Sequence, residues 1–398
     1  VYWMATEDHD FEEINFFNLK DNKIAWNRKS SGAVGRLKTE GFDSVFSEFS
    51  ELIGTSEDAN YLKELFQKAY LEHSNLTEAT RYLVNELFGE YGLVIIDGDD
   101  IQLKQQFAPV IKDELLNNTS FIEVSKTSEK LSKNYTIQVN SREINLFYLK
   151  DNLRERIIFE NNKYIINTTN LTFSEDEILS EVSNHPERFS PNVIMRPLFQ
   201  ETVLPNLCYI GGGGELAYWF QLKNYFDATN TPFPILLLRN SVLLASEKQL
   251  IKSSKLTISI QELFSKQEVL ISMKIKEISE IEIDFSKHKE HLQQQFLNLK
   301  DIARKTDVSF LGAVNAQEKK QLNGLNNLEK RLLKAQKRKL SDVVERMKVL
   351  QDELFPNQSL EERTRNFSEI YLKIGNDFIP MLMKVINPLQ LEFTVIEY

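Results

Sequence analysis

Short apolar runs, each ended by Asp, Gly or Asn, alternate along the chain with segments whose apolar positions follow helical spacing. Such runs are typical of buried parallel strands, and the intervening spacing predicts helices. Repeated alternation of this kind indicates an α/β fold with one doubly wound, Rossmann-like parallel sheet. The four predicted strands are residues 1–5, 93–97, 207–210 and 235–238, and the helices lie at 56–88, 101–133 and 215–226.

A different pattern, with a period of two, occupies residues 134–170. Asn-rich turns separate its short runs, which predicts a small antiparallel module inserted between two halves of the α/β unit. Ser174, with Glu177 three residues later, then predicts a capping box at a helix start. The runs predicted as strands are 135–139, 146–149, 156–159 and 164–166.

Two long helical runs follow, at about 266–300 and 317–354. Apolar residues at alternating spacings of three and four run from Leu325 to Leu354 with one phase slip, which is typical of a coiled-coil seam. A short linker around Gly312 predicts an antiparallel hairpin. The alternative is that both helices lie on the main domain. A protruding hairpin would pair with the same hairpin of a second subunit, which predicts a homodimer.

These patterns divide the chain into six parts. The first part of the core comprises residues 1–25 and 56–133, with a glycine-containing, loop-rich insertion at 26–55. The remaining parts are the β-rich insert at 134–170, the second part of the core at 171–260, the coiled-coil arm at 261–360, and a segment at 361–398 expected to pack on the core.

Composition excludes several classes of protein. The 398 residues carry a net charge of −10 without a strongly basic block, which argues against a nucleic-acid partner. Apolar runs are too short to span a membrane. The single cysteine, Cys208, excludes an internal disulfide and fits a reducing, cytoplasmic environment. A chain that begins with Val1 inside a strand pattern predicts further residues upstream.

The sharpest local signal is the run Gly211, Gly212, Gly213 and Gly214 between a strand and a helix. Glycine lets a backbone approach a ligand, and the amides of a helix start attract phosphate or carboxylate. The run lacks the Lys-Ser/Thr ending of a P-loop and is a poor dinucleotide fingerprint. A tight turn without a ligand is the alternative.

Arginines and amides supply further candidates for binding an anion. Arg196 and Gln200 would share a helix face, and Arg196 could hold a carboxylate or phosphate with two hydrogen bonds, or form a structural pair with an acid. Arg239 and Asn240 follow a predicted strand, at the sheet edge where open α/β folds bind ligands. Asn192 belongs to the same polar segment as Arg196.

Glu7, Asp8, His9 and Asp10 follow the first predicted strand. An imidazole among carboxylates can form an acid–base site, a helix cap or a metal-ligand set. Metal is the least favoured of the three because no second nitrogen or sulfur ligand is evident. We therefore identify no metal site from the sequence, and Mg²⁺ is expected only together with ATP.

The remaining candidates are simpler. Asp97, together with Asp99, ends a strand and could hold a hydroxyl group or only a turn. Glu215 begins the helix after the glycines and could contact a nucleotide or hydroxyl, as could Asp10. Cys208 lies inside an apolar strand and is expected to be a buried core thiol.

Several long segments resemble the bacillithiol biosynthesis cysteine-adding family. They extend across the whole chain in the order found in that family. Their sequences include VYWMATEDHDFEEIN at the start, NVIMRPLFQETVLP, and the run around the four glycines. The segments are residues 1–15, 192–205, 209–218, 234–241, 376–379 and 388–395.

The resemblance implies a Rossmann-like core, connecting inserts and a C-terminal coiled coil that forms a homodimer. It implies a ligase that joins cysteine to glucosaminyl malate through an amide bond, the last step of bacillithiol synthesis, with ATP or another nucleotide activating the carboxylate. The chain departs from related ligases because it has no His-x-Gly-His and no Lys-Met-Ser-Lys-Ser loop. The family's N-terminal glycine-rich segment is expected upstream of Val1.

For this activity, His9 would be the general base, tuned by Glu7 or Asp8, and would take a proton from the glucosamine ammonium. The glycine turn and Arg196 would hold malate carboxylates or a phosphate. The competing hypothesis is a dimeric scaffold or sensor that binds a nucleotide or anion without turnover. The many polar candidate residues expected at a single sheet edge favour the enzyme over the scaffold.

Overall fold

A computed structural model describes residues 1–306 and 308–398 of the chain. These residues form two compact units. The first comprises residues 1–241 and 365–394, and the second comprises residues 242–364 and 395–398. The boundary after Ser241 lies earlier than the arm boundary at residue 260/261 predicted from the helical spacing.

The strands are short, and most lie in the first unit. They are β1 (Tyr2–Met4), β2 (Phe16–Leu19), β3 (Asn22–Ala25), β4 (Ile95–Asp97), β5 (Leu146–Lys150), β6 (Leu153–Glu160), β7 (Lys163–Ile166), β8 (Thr172–Phe173), β9 (Phe189–Pro191), β10 (Cys208–Gly211), β11 (Ile235–Leu238), β12 (Val242–Ala245) and β13 (Thr394–Glu397).

The first unit is rich in helices. They are α1 (Phe11–Ile14), α2 (Phe42–Ile53), α3 (Glu57–Tyr70), α4 (Leu76–Phe88), α5 (Ile101–Asn117), α6 (Thr119–Leu131), α7 (Glu175–Asn184), α8 (Arg196–Val203), α9 (Gly213–Trp219) and α10 (Lys223–Ala228), with α17 (Ser368–Ile374) and α18 (Phe378–Val385) near the chain end.

The second unit is mainly helical. Its helices are α11 (Glu247–Lys255), α12 (Ile260–Leu263), α13 (Gln267–Ile278), α14 (Ser286–Arg304), α15 (Val308–Lys339) and α16 (Ser341–Leu354). Strands β12 and β13 pair with each other. No helix among the described residues is both long and apolar enough to cross a membrane.

The predicted parallel strands form, but they lie in two pairs. β1 pairs in parallel with β4, and β10 pairs in parallel with β11. Among the described residues no ladder joins one pair to the other, so the single continuous sheet expected from the sequence is not present there. The parallel sense of both pairs agrees with the expected Rossmann-like topology.

The inserted module is a five-stranded antiparallel sheet in the order β8-β7-β6-β5-β9. The prediction of a strand at 135–139 is wrong. The backbone amides of Gln138 and Val139 donate to the side-chain oxygen of Gln221, and the Gln221 amide donates back to the Val139 carbonyl. A side chain thus satisfies backbone groups that a neighbouring strand would otherwise bind.

A capping box in the sequence marks the start of α7. The predicted capping box is confirmed, because the Ser174 hydroxyl accepts from the Glu177 amide while the Glu177 carboxylate accepts from the Ser174 amide. Residues 26–55, expected to be rich in loops, contain the 12-residue helix α2, whose buried face includes Phe42 and Phe49.

An antiparallel helix pair dominates the second unit. Lys289 pairs with Glu329 and Lys300 pairs with Glu318, so α14 and α15 run in opposite directions. Gly312 lies within α15 rather than in a linker, which corrects the predicted position of the turn. The phase slip in the apolar seam falls where helix α15 ends and α16 begins, next to Leu340.

Candidate functional site

A cleft of about 840 Å³ opens in the first unit. Its walls come from the residues after β1, from β5 and β6 of the inserted sheet, and from the segment that runs from α8 through β10 to α9. Eight residues predicted from the sequence line this cleft: Glu7, Asp8, His9, Asp10, Asn192, Arg196, Gln200 and Glu215.

The chain after β1 is held by interactions with its neighbours. The Thr6 hydroxyl donates a hydrogen bond to Asp97 at the end of β4, and the Gly35 amide donates one to the Thr6 carbonyl at 2.7 Å. A Cβ atom at Gly35 would lie 2.4 Å from the Thr6 side chain, so only glycine permits this approach. Asp97, predicted to hold a hydroxyl group or only a turn, accepts from the Thr6 hydroxyl and from the Asp99 amide, and it does not line the cleft.

Glu7 is buried at the base of the cleft and forms an ion pair with Lys104 at 3.0 Å. Lys104 also pairs with Asp99 at 2.6 Å, and Asp99 binds Arg36 with two hydrogen bonds. Burial raises the pKa of Glu7 above its ordinary value, against the attraction of Lys104. Burial also opposes ionisation of Asp99, but Lys104 and Arg36 hold its pKa below the ordinary range.

Asp8, His9 and Asp10 form a tight, largely exposed cluster. One side-chain nitrogen or oxygen of each residue, the kind of atom that could bind a metal, lies within 4.8 Å of the other two. His9 Nδ1 is 3.2 Å from Asp8 Oδ1 and 3.9 Å from Asp10 Oδ1. Asp10 occupies the N-cap position of α1 but makes no side-chain capping bond. Of the three roles weighed for this segment, capping by Asp10 therefore has no hydrogen bond to support it.

A residue that the sequence did not single out completes the cluster. Arg154, on β6, donates from Nη1 to His9 Nδ1 at 2.5 Å and lies 3.5 Å from Asp8. Its guanidinium stacks on the Phe147 ring, 4.0 Å from the ring centre. Arg142 and Arg156 line the same cleft and are exposed. Arg154 and Arg156 are two positions apart on a strand, so both side chains lie on one face of the sheet. The period-two pattern of the sequence could have indicated this pair.

Asn192 has a structural role at the cleft wall. Its side-chain oxygen accepts from the Ile194 amide at 2.8 Å, and its amide donates to Asn145 Oδ1. Asn145 is fully buried and hydrogen-bonds to Glu114 and Ser120. Two of the polar groups of Asn192 are therefore already bound within the protein.

Arg196 lies at the start of α8 and is mostly buried. It donates to the Tyr218 hydroxyl at 2.8 Å, to Glu215 Oε1 at 3.3 Å and, more weakly, to Gln200 Oε1 at 3.4 Å. Burial opposes its charge, yet the neighbouring Tyr218 and Tyr209 raise the pKa of Arg196 above its ordinary value. The guanidinium thus remains charged at the cleft wall.

The glycine run forms a close turn next to the cleft. Glu215 Oε2 lies 3.4 Å from the Gly212 amide, so the carboxylate takes the place that an anion would occupy at this helix start. A Cβ atom at Gly211 would lie 2.8 Å from the Tyr209 ring and 3.1 Å from Glu215. These contacts account for Gly211 through close packing. Gly211, Gly212, Gly213 and Gly214 are not among the cleft-lining residues.

Three other residues, Arg239, Asn240 and Cys208, do not occupy the positions expected from the sequence. The Arg239 amide donates to the Gly211 carbonyl, and the Asn240 side chain donates to the carbonyls of Asn387 and Gln390. Neither Arg239 nor Asn240 lines the cleft. Cys208, expected in the core, is half-buried and forms part of the cleft wall.

Comparison with known families follows the division of the chain. The description "Bacillithiol biosynthesis BshC, N-terminal Rossmann-like domain" matches residues 1–240. The description "Bacillithiol biosynthesis BshC, C-terminal coiled-coil domain" matches residues 242–398. The first match agrees with the predicted Rossmann-like core, and the second agrees with the predicted coiled coil.

Similar proteins carry the name "Putative cysteine ligase BshC". The relative from Flavobacterium johnsoniae is 58% identical over 396 residues, and the relative from Christiangramia forsetii is 56% identical over 403 residues. The relative from Flavobacterium psychrophilum is 57% identical over 398 residues. Each alignment covers 100% of this chain and 75% of the relative.

Proposed function

Because the chain belongs to the bacillithiol biosynthesis BshC family, we propose that it is a ligase that joins L-cysteine to glucosaminyl malate. The bond formed is an amide between the cysteine carboxyl group and the glucosamine nitrogen, which completes bacillithiol. The observation that carries the proposal is the 58% identity, over 100% of this chain, to the Flavobacterium johnsoniae relative named "Putative cysteine ligase BshC".

The charge of the cleft suits this substrate. Glucosaminyl malate carries two carboxylates, and four arginines line the cleft: Arg142, Arg154, Arg156 and Arg196. Arginine binds carboxylates through paired hydrogen bonds. The Nε atom of Arg154 is buried and has no hydrogen-bond partner among the described residues.

We propose ATP, or another nucleotide, as the source of activation. Amide formation from a free carboxylate in water is unfavourable, and transfer of a phosphoryl or adenylyl group to the cysteine carboxylate would make it reactive. The cleft arginines could hold phosphates, whereas Glu215 already occupies the amide of Gly212 and must move before a phosphate can bind there. Mg²⁺ is expected only as the ion that accompanies ATP.

A direct assay tests the proposal. The full-length protein is incubated with cysteine, glucosaminyl malate, ATP and Mg²⁺, and bacillithiol is measured by mass spectrometry. Formation that depends on protein, cysteine and ATP supports the ligase, and the appearance of AMP or ADP identifies the activated intermediate. Tight nucleotide binding without product under all conditions would support the non-catalytic scaffold instead.

We further propose that the protein acts in the cytoplasm as a homodimer. A chain with one half-buried cysteine needs no oxidising compartment. Apolar side chains on the outside of the helix pair, including Leu299 and Ile302 on α14, would be covered by the same surface of a second subunit.

A further inference from the structure

The contact between Arg154 and His9 constrains where the histidine carries its hydrogen. A guanidinium has only donors, and it remains protonated at neutral pH. Arg154 Nη1 lies 2.5 Å from His9 Nδ1, so this nitrogen must accept a hydrogen bond. A hydrogen on Nδ1 would face the guanidinium hydrogen at a distance too short for two donors.

Several contacts hold the Arg154 side chain in this place. Only 6% of the side chain is exposed, and the guanidinium stacks on Phe147, 4.0 Å from the ring centre. Its second amino group reaches the buried Ser190 hydroxyl at 3.4 Å. Asp8 lies 3.5 Å away and compensates part of the charge. An arginine restrained by stacking and hydrogen bonds is well suited to orienting another side chain.

We propose that Arg154 is a positioning residue that keeps Nδ1 of His9 as a hydrogen-bond acceptor and the ring hydrogen on Nε2. In this state His9 offers the substrate a hydrogen-bond donor and has no free lone pair with which to accept a proton. The role toward substrate rests on the proposed ligase function, whereas the tautomer does not. His9 would therefore stabilise charge on an oxygen of the reacting carboxyl group rather than act as the general base.

The alternative tautomer is the one that the general-base role requires. Nε2 can accept a proton only if the hydrogen is on Nδ1, and Asp8 Oδ1, 3.2 Å from Nδ1, could accept a hydrogen bond from it. Asp8 and Arg154 thus favour opposite tautomers. The shorter distance and greater burial belong to Arg154, which favours the Nε2–H form.

Nuclear magnetic resonance distinguishes the tautomers without substrate. Long-range correlations between ring protons and ¹⁵N in labelled histidine show which nitrogen is protonated, and His9→Gln identifies the His9 signals. We expect a protonated Nε2 and an unprotonated Nδ1 at pH 7.5. Arg154→Met should shift His9 toward the Nδ1–H form, and Arg154→Lys, which keeps a cationic donor, should restore the Nε2–H form.

Arg156→Met is the matched control, because Arg156 lines the same cleft from the same strand and has no contact with His9 among the described residues. It should leave the tautomer unchanged. A His9 ring with its hydrogen on Nδ1 in the unmutated protein, or an equal shift in both variants, would overturn the proposal.

Turnover gives the second test. Losing a positioned donor lowers kcat by about 10²–10³-fold in other enzymes, and we expect Arg154→Met to approach that loss while KM changes less. His9→Gln, which keeps an N–H group, should retain more activity than His9→Ala. Equal inactivity of those two His9 variants would argue against a donor role. If the unmutated protein forms no bacillithiol but shows the expected tautomer, the ligase proposal fails and the positioning by Arg154 stands.

Discussion

Lys104 Nζ lies 3.0 Å from Glu7 Oε2, and the two side chains are only 1% and 5% exposed. The pair joins helix α5 to the residues that follow β1. Asp8 and His9 come directly after Glu7, so the backbone that carries them is fixed by a buried charge pair. This arrangement makes Glu7 a support of the cleft floor as well as a candidate for chemistry.

Lys104→Met should therefore destabilise the protein. The substitution leaves Glu7 and Asp99 buried without their shared cation, and loss of one partner of a buried pair costs about 3–5 kcal/mol. Urea unfolding followed by circular dichroism measures the change. Lys112→Met on the same helix is the control, and because Lys112 has no ion-pair partner among the described residues, it should cost about 0.5 kcal/mol or less. Equal costs at both positions would contradict this interpretation.

A second prediction concerns acid stability of the second unit. The hydrogen bond from Lys274 lowers the pKa of Glu262 from 4.5 to about 2. The folded protein thus binds this proton less tightly than the unfolded chain. The stabilisation is complete above about pH 4.5 and is lost as the pH falls through about 2.

Glu262→Gln removes this contribution, so we expect the urea midpoint of the variant to be lower than that of the unmutated protein at pH 7 and to converge with it near pH 2. Glu247→Gln, at an exposed helix start, should give parallel curves. A constant difference between Glu262→Gln and the unmutated protein from pH 7 to pH 2 would show that Glu262 stabilises by packing instead of by charge.

The sequence predicted the elements that depend on local patterns. The short apolar runs formed the parallel strands β1, β4, β10 and β11, and Ser174 and Glu177 formed their capping box. Residues 135–139 also alternate in the manner of a strand, but a tertiary contact with Gln221 satisfies their backbone instead. Periodicity cannot distinguish these two outcomes, because the partner is 82 residues away.

The site was predicted only in part, for the same reason. Residues near strand ends, such as His9 and Arg196, could be proposed because the ends of parallel strands meet at one edge. Arg154 reaches His9 from a strand 145 residues further along the chain, through the pairing of β5 with β6. Arg239 also follows a strand, yet it lies outside the cleft.

Arg196 provides a prediction for substrate binding. Arg196→Lys loses the fork of donors that now reaches Tyr218 and Glu215 and that would bind a carboxylate of glucosaminyl malate with paired hydrogen bonds. Hydrogen bonds to charged groups contribute about 1.5–3 kcal/mol, so KM for glucosaminyl malate should rise by about 10-fold or more, with a smaller change in kcat. Steady-state kinetics measure both constants.

The control is Arg188→Lys. The Arg188 guanidinium binds Glu181 and does not line the cleft, so this substitution should leave KM unchanged. A fall in kcat alone would place Arg196 in the chemical step rather than in binding.

The helix pair of the second unit gives the last prediction. Phe296, Ala303 and Val314 form the buried seam between α14 and α15, whereas Leu299 and Ile302 are 45% and 57% exposed. These two residues are three positions apart and share a helix face. If that face contacts a second subunit, Leu299→Glu combined with Ile302→Glu should convert a dimer into a monomer, because charged residues would be buried without partners.

Analytical ultracentrifugation measures the mass of the particle. The control is Lys287→Glu combined with Glu290→Lys on the same helix. It should preserve the dimer, since both side chains are exposed and the net charge is unchanged. A double Leu299 and Ile302 variant that sediments as a dimer would place the subunit contact elsewhere.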